Sequence, residues 1–413
     1  MTHKKLLIIG FVWPEPKSSA AGSRMLQLIT CFNALHYNIT FASACSKTSK
    51  AFHLESIGIL QEHIKLNDSS FDVFIKTLNP DVVLFDRFMT EEQFGWRVAK
   101  QCPHALRVLD TEDLHGLRKG RQMAFEANEL FNKRYLYNTI SKREIASIYR
   151  SDLSLIISEA EMSILKQDFK VDDTLLLYLP FMLDTVEAST INKFPKFEDR
   201  NHFVTIGNFL HQPNYKATLY LKHTLWPLIR TQLPDAELHI YGAYATQKVN
   251  ELHDKKQGFL IKAFTEDVNT MMQNAKVCVA PLPFGAGLKG KLFDAMRNGT
   301  PSLTTTIGAE GISGTLEFAG FIENEPEDFA NKAVSLYTNE TLWNNKQQKG
   351  FQIINAPFSK YEFHKHFINK INDLVYNLDN HRLYNFTGQM LMYHALQSTK
   401  YMSKWIEEKN RNN

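Results

Sequence analysis

Two successive series of short apolar runs, each run followed by a turn-rich segment and a helical pattern, restrict most strongly how this chain can fold. Residues 6–13 form a continuous apolar run without period-two alternation, which suits a parallel strand buried on both faces. A turn-rich segment follows, and then Met25, Leu26, Ile29, Phe32 and Leu35 recur at helical spacing. The same alternation predicts strands over 39–44, 82–85, 106–109, 153–157 and 175–179. Helices are predicted over 71–78, 91–100 and about 126–149. A polar stretch with Pro180 and Pro195 interrupts the pattern over 180–200 and reads as a linker. A second series then places strands at 203–206, 237–241, 277–280 and 302–305, with helices over 217–233, 268–273 and 288–298. The expectation is an α/β fold of two Rossmann-like, doubly wound parallel-sheet domains facing a cleft, over residues 1–182 and 200–375. With 413 residues, 44% of them hydrophobic, the chain can build a core in each half.

Residues 376–413 read as a separate helical tail. Phe386, Met390, His394, Tyr401 and Trp405 fall at mostly helical spacing, with Lys400, Lys404 and Lys409 nearby. The expected arrangement is a helix packing back across the first domain. The alternative is a helix lying in a membrane interface, which makes the membrane surface a candidate partner. No apolar run approaches the ~18 residues of a membrane span. Lys4 and Lys5 precede the first apolar run in the manner of a signal peptide, but Pro14 and Pro16 end that run without a small-residue cleavage site, so it reads as a strand. The formal charge of +3 gives no reason to expect nucleic acid as a partner. Cys31, Cys45, Cys102 and Cys278 are too scattered for a zinc site or a disulfide framework, and reduced thiols suit a cytoplasmic protein, stationed at most on the inner face of the membrane.

Ligands of open parallel sheets sit beyond the carboxyl ends of the strands, which selects the loops 14–24, 110–118, 207–215 and 281–291. The segment 281–311 carries the most chemistry. Gly285 and Gly287 let backbone approach a ligand, and the helix that follows aims its free N–H groups at the same point, a geometry suited to a phosphate or diphosphate. Lys289 and Lys291 add charge, and Asp294 on the same helix face can accept from ribose hydroxyls. A tight turn with two solvated lysines is the plain alternative, and the spacing is not that of a Walker loop. Elsewhere, Gly22, Ser23 and Arg24 open a helix that can face a diphosphate, with Ser23 as an exposed cap the competing reading. Asp110, Glu112 and Asp113 read as a solvated turn rather than a metal site. Arg118, Lys119 and Arg121 read as solvated surface, with contact to a phosphate-bearing lipid as the alternative.

The run 280–311, with its Gly-Ala-Gly-Leu-Lys-Gly-Lys, Asp-Ala-Met, Gly-Thr-Pro and Ile-Gly-Ala-Glu-Gly elements, resembles the donor-site signature of the retaining group 1 (family 4) glycosyltransferases. The segments 207–214, 240–242 and 80–86 extend that resemblance over roughly residues 5–370. It implies the GT-B fold and transfer of a sugar from a UDP- or GDP-linked nucleotide donor to a glycan or lipid-linked hydroxyl acceptor, with retention, without a metal and without any further cofactor. By the same resemblance Lys291 binds the diphosphate, Asp294 the ribose, and Lys289 supports them. Phe284, Gly285 and Gly287 line the donor through their backbone, Gly207 and Asn208 belong to the first donor loop, and Glu310 stands near the donor unless it only caps a helix. His115 faces donor and acceptor unless it is a structural loop histidine beside Asp113. The chain departs from the pattern at Ala286, where many members carry an acid, and the usual Arg and Lys pair after the first donor-domain strand has no clear match. A nucleotide-sugar epimerase on the same fold and a non-catalytic nucleotide-sugar-binding subunit are the competing functions.

Overall fold

The computed structural model describes residues 4–411, with the backbone alone for 395–397. Two wholly parallel sheets organise the chain. The first contains β1 (Lys5–Gly10), β2 (Asn38–Ser43), β3 (Leu60–His63), β4 (Val82–Asp86), β5 (Leu106–Asp110), β6 (Leu153–Ile156) and β7 (Leu176–Tyr178), in the spatial order β3-β2-β1-β4-β5-β6-β7. The second contains β8 (Asn201–Ile206), β9 (Leu238–Tyr241), β10 (Phe259–Ile261), β11 (Ala275–Ala280), β12 (Ser302–Thr304) and β13 (Gly320–Ile322), in the order β10-β9-β8-β11-β12-β13. Central strands are buried on both faces: Leu6, Ile8, Leu84 and Val108 feed one apolar layer of the first domain, whereas Leu7, Ile9, Val83 and Phe85 feed the other. Alternate residues of a strand point to opposite faces, so an unbroken apolar run is what a sheet covered by helices on both sides requires.

Three edge strands, β3, β10 and β13, lie outside the strands expected from sequence. Each is only three or four residues long, and β3 is largely exposed, so no apolar run marks it. The helix expected over 126–149 is broken. It resolves into Lys133–Leu136 and Thr139–Arg150, preceded by His115–Glu126. Asn132 and Asn138 each turn their side-chain oxygen onto the first amides of the helix that follows, which starts a new helix at each point. The helix expected over 217–233 contains a wide turn at Leu221–Leu225, where the N–H of Trp226 reaches back to the carbonyl of Leu221; Pro227, which has no N–H to donate, follows directly.

The chain returns to the first domain before the tail boundary expected at 376. Ser359 bridges Leu183 beside the interdomain linker, and the helix Lys360–Tyr376 inserts Phe367, Ile371 and Leu374 into the first core. The final helix, Phe386–Arg411, lies against the helices Arg87–Gln101 and Thr139–Arg150 of that domain. Arg97, almost fully buried, is held from both sides, by Asp72 at 2.6 Å and by Ser403 and Glu407 of this last helix.

Candidate functional site

Strand order reverses between β1 and β4 in the first sheet and between β8 and β11 in the second. At such a point adjacent strands send their following loops to opposite sides and leave a crevice beyond their carboxyl ends. The loops after β8 and β11 are the two donor-like segments of the sequence, so both flank the crevice of the second sheet.

The four selected loops meet where the domains face each other. Gly287 adopts a left-handed φ of 64°, and a Cβ there would lie 2.7 Å from the Cβ of Asp113 in the first domain. Glycine is therefore required twice, by conformation and by the close approach of the other domain. The helix Gly290–Arg297 begins directly beyond, and a Cβ on Gly290 would come 2.8 Å from that of Ala20, the first residue of the helix Ala20–Ala34. Two helix starts, each with unpaired N–H groups and partial positive charge, thus meet across the interface.

Two lysines sit at this junction. Lys291 donates from Nζ to Asn214 Oδ1 at 2.8 Å, which ties the helix start after β11 to the helix start after β8. Lys289 is nearly buried and curls over its own loop, donating to the carbonyls of Gly287 at 2.6 Å and Ala286 at 3.2 Å. Burial pushes both ammonium groups down to about 8; Glu310, in opposition, favours the charged form of Lys289. Burial likewise raises Asp294, on the next turn of the helix, to about 6. Asn214 also donates to the carbonyl of Asn208, and a Cβ on Gly207 would strike the Asn214 amide at 2.6 Å, so this asparagine sets the shape of the Gly207–Asn208 turn.

The first domain contributes a second cluster. His115 opens the helix His115–Glu126, with its ring largely buried, edge-on to Phe88 and 3.5 Å from Asp113. Burial pushes His115 down to about 3 against the pull of Asp113, so it is a neutral imidazole at physiological pH. Asp113 is paired with Arg118, which together with His115 outweighs the cost of burial and holds the carboxylate below its ordinary range. Two buried glutamates cap the helix start. Glu144 accepts from the amides of His115 and Gly116 at 3.0 and 2.9 Å, and Glu161 Oε1 accepts from Leu114 at 2.9 Å and from Gly287 of the other domain at 2.8 Å. Burial raises Glu144 to about 8 and Glu161 to about 7.

Several residues stand where the sequence reading does not put them. Arg24 is fully buried, paired with Asp110 at 2.8 Å and donating to the carbonyl of Leu179 at 2.6 Å, so its guanidinium is spent inside the first domain. The Cα of Gly22 packs against the backbone of Glu15, and the helix is capped by Ser19, not by Ser23. The Gly22 amide is taken by Ser19 Oγ at 3.1 Å and the Arg24 guanidinium by Asp110, so neither group is open to the crevice. Phe284 is buried with its ring 5.4 Å from that of Phe125, so its side chain belongs to the domain interface, which leaves the backbone role expected of it unaffected. Asp110 and Glu112 are buried, not part of a solvated turn. Arg121 is no solvated surface cation either: it holds Glu310 at 2.6 Å and donates to the carbonyl of Gly285 at 2.8 Å, joining the domains. That bond and the Arg121 charge, with Lys289, overcome burial and keep Glu310 below its ordinary value.

His115, Lys289, Lys291, Gly285, Gly287, Gly207, Asn208, Asp294 and Glu310 therefore lie in one connected region, to which the structure adds Asn214, Asp113, Arg118, Arg121, Glu144 and Glu161. Asn214 stands in a quoted motif, but the two glutamates lie on helices of the first domain and carry no local signal.

Comparison with known proteins agrees with this geometry. Residues 200–339, which contain the whole second sheet, match the family described as glycosyl transferases group 1. An uncharacterised 44.6 kDa protein in the cps region of Klebsiella pneumoniae is 24% identical over 199 residues; the match spans 45% of this chain and about half, 48%, of that protein. Among solved structures, sucrose-phosphate synthase of Thermosynechococcus elongatus superposes with a TM-score of 0.68 at 13% identity, covering 90% of this chain and 99% of that one. HepE of Anabaena, solved in complex with UDP and glucose, gives 0.67 at 13% identity, with 90% and 100% covered. The fold is that of the GT-B glycosyltransferases.

Proposed function

We propose that this chain transfers a sugar from a UDP- or GDP-linked donor to a hydroxyl of a glycan or lipid-linked glycan acceptor. The observation that carries the reading is the meeting of two helix starts at Ala20 and Gly290, with Lys289 and Lys291 on either side of Gly290. Cleavage of a nucleotide-sugar bond builds negative charge on the leaving diphosphate, and fixed N–H dipoles and ammonium groups in a buried site stabilise that charge without reorganising. Lys291, freed from Asn214, and the amides of Gly290 and Lys291 take the diphosphate. Asp294 takes the ribose, and the backbone of residues 284–287 lines the donor beside Gly207, Asn208 and Glu310. Neutral His115 bonds the transferring sugar or the leaving oxygen. With this cationic cradle the transfer needs no metal, and attack by the acceptor on the face the diphosphate leaves gives retention.

The two domains touch through Arg121–Glu310, Glu161–Gly287 and Gly287–Asp113. Donor entry requires these contacts to part, and their re-formation excludes water from the activated sugar. The family match over 200–339 and the UDP bound by HepE support a nucleotide-sugar site, with UDP first among the nucleotides to try. The free thiols of Cys31, Cys45, Cys102 and Cys278 support a reducing compartment such as the cytoplasm for this transfer.

Incubating the protein with UDP- and GDP-sugars and a panel of oligosaccharide and lipid-linked acceptors tests the reading. Release of nucleoside diphosphate coupled to a new glycosidic bond is expected, with the donor's anomeric configuration and unchanged by a chelator. An inverted linkage contradicts the retaining assignment, and turnover abolished by chelator and restored by a divalent ion contradicts the metal-free one. Sugar interconversion without acceptor identifies an epimerase instead.

A further inference from the structure

We propose that the outer face of the helix Phe386–Arg411 docks on the surface of an anionic lipid bilayer. The inner face of this helix is fixed to the first domain. Gly388 packs on the carbonyl of Tyr149, Met392 meets Arg107, and Ser403 and Glu407 hold Arg97. On the other side Phe386, Met390, Tyr393, Tyr401 and Trp405 are 74, 46, 70, 62 and 62% exposed. At 100° per residue these five positions fall on one side of the helix, roughly opposite Gly388 and Ser403. Leu383 and Tyr384 continue the patch onto the preceding helix, Leu378–Tyr384, at 66 and 86% exposure. Packing back on the first domain and presenting an apolar stripe to the outside are thus properties of one helix. A row of large apolar side chains this exposed marks an interaction surface.

Charge and side-chain type select the occupant. The helix sequence carries Lys400, Lys404, Lys409 and Arg411 against two acids, Glu407 and Glu408. Glu407 is turned inward to Arg97, and Glu408, on the outer face, pairs with Arg411 at 3.4 Å, while Lys404 within the stripe and Lys400 and Lys409 beside it have no carboxylate partner among the described residues. Two copies of such a face repel each other, and lysine is depleted from the cores of protein interfaces. Tyrosine, tryptophan and methionine bordered by lysine are the chemistry of the membrane–water boundary, where rings enter the headgroup layer and ammonium groups meet lipid phosphates. Among the described residues no helix is long and apolar enough to cross a membrane, so the helix lies along the surface.

Trp405 makes the test direct. Trp13, Trp96, Trp226 and Trp343 are all 5% exposed or less, so a fluorescence change on docking reports Trp405. The full chain is mixed with phosphatidylcholine vesicles with and without phosphatidylglycerol. We expect co-sedimentation with the anionic vesicles, a blue shift of tryptophan emission that is absent in Trp405→Phe, and release by salt. Lys400→Gln with Lys404→Gln should weaken partitioning on the order of thirtyfold, and Tyr401→Ser with Trp405→Ser should abolish it. These side chains are exposed, so an unchanged unfolding midpoint shows that the variants fold. The proposal is overturned if the wild type sediments with neither vesicle, or if it binds both equally. It is also overturned if the same substitutions dissolve a lipid-independent dimer. UDP binding measured in parallel is independent of this face.

Discussion

Gly285 and Gly287 stand two residues apart in the same loop, and the structure asks different things of them. A Cβ on Gly285 has its nearest neighbour at 3.5 Å, whereas one on Gly287 meets Asp113 at 2.7 Å on a backbone already at positive φ. Gly287→Ala should therefore cost about 1–2 kcal/mol for the left-handed conformation alone, and more because Asp113 must move. We expect donor turnover to fall at least tenfold in Gly287→Ala while Gly285→Ala stays within a few-fold of wild type; equal activities of the two variants would contradict the closed interface. The local signature made this loop legible in the sequence, because a glycine pair, two lysines and a helix start lie within a few residues. Arg24 was not legible, since its role is set by Asp110, 86 positions away. Glu161 and Arg121 escaped for the same reason, as each acts across the domain boundary on residues 126 and 164 positions distant. Polar side chains whose partners are remote leave no pattern in a window of sequence.

At the scale of elements, apolar runs disclosed the central strands because burial on both faces demands them, while the short edge strands carry no comparable run. The tail was legible as helix, and its inner face is fixed by polar contacts that hydrophobic spacing does not encode. Arg97 shows what those contacts are worth. Removing Glu407 leaves its guanidinium buried with Asp72 as the remaining carboxylate. Glu407→Ala should lower stability by about 1–3 kcal/mol, read as a reduced denaturation midpoint. An unchanged midpoint would show that the last helix is docked by other means.

For the whole molecule, the buried carboxyls and lysines give stability a distinctive dependence on pH. Glu161 and Glu144 have folded values raised from 4.5 to about 7 and about 8, so from pH 4.5 upward the folded state holds protons that the unfolded state has lost. Their contribution therefore declines as pH rises to about 8. His115, lowered from 6.5 to about 3, acts oppositely, but its gain is complete by about pH 6.5. Lys289 and Lys291, lowered from 10.5 to about 8, restore stability only above pH 8. Between pH 6.5 and 8 the glutamates should dominate this set, and the unfolding free energy should fall. Glu144→Gln should flatten that slope, whatever its effect on absolute stability; a slope unchanged in this variant would show that Glu144 is ionised in the folded protein.

Joining the two sheets into one site depends on the junction of helix starts at Ala20 and Gly290, and calorimetric or thermal titration with UDP, GDP and ADP tests that junction most directly. At ~100 times its dissociation constant the preferred nucleotide should stabilise the protein by about 2.7 kcal/mol. Lys291→Ala, which removes a charge-assisted bond to phosphate, should weaken binding about tenfold to hundredfold. If none of the three nucleotides stabilises the protein, or if Lys291→Ala binds as tightly as the wild type, the diphosphate does not sit at this junction.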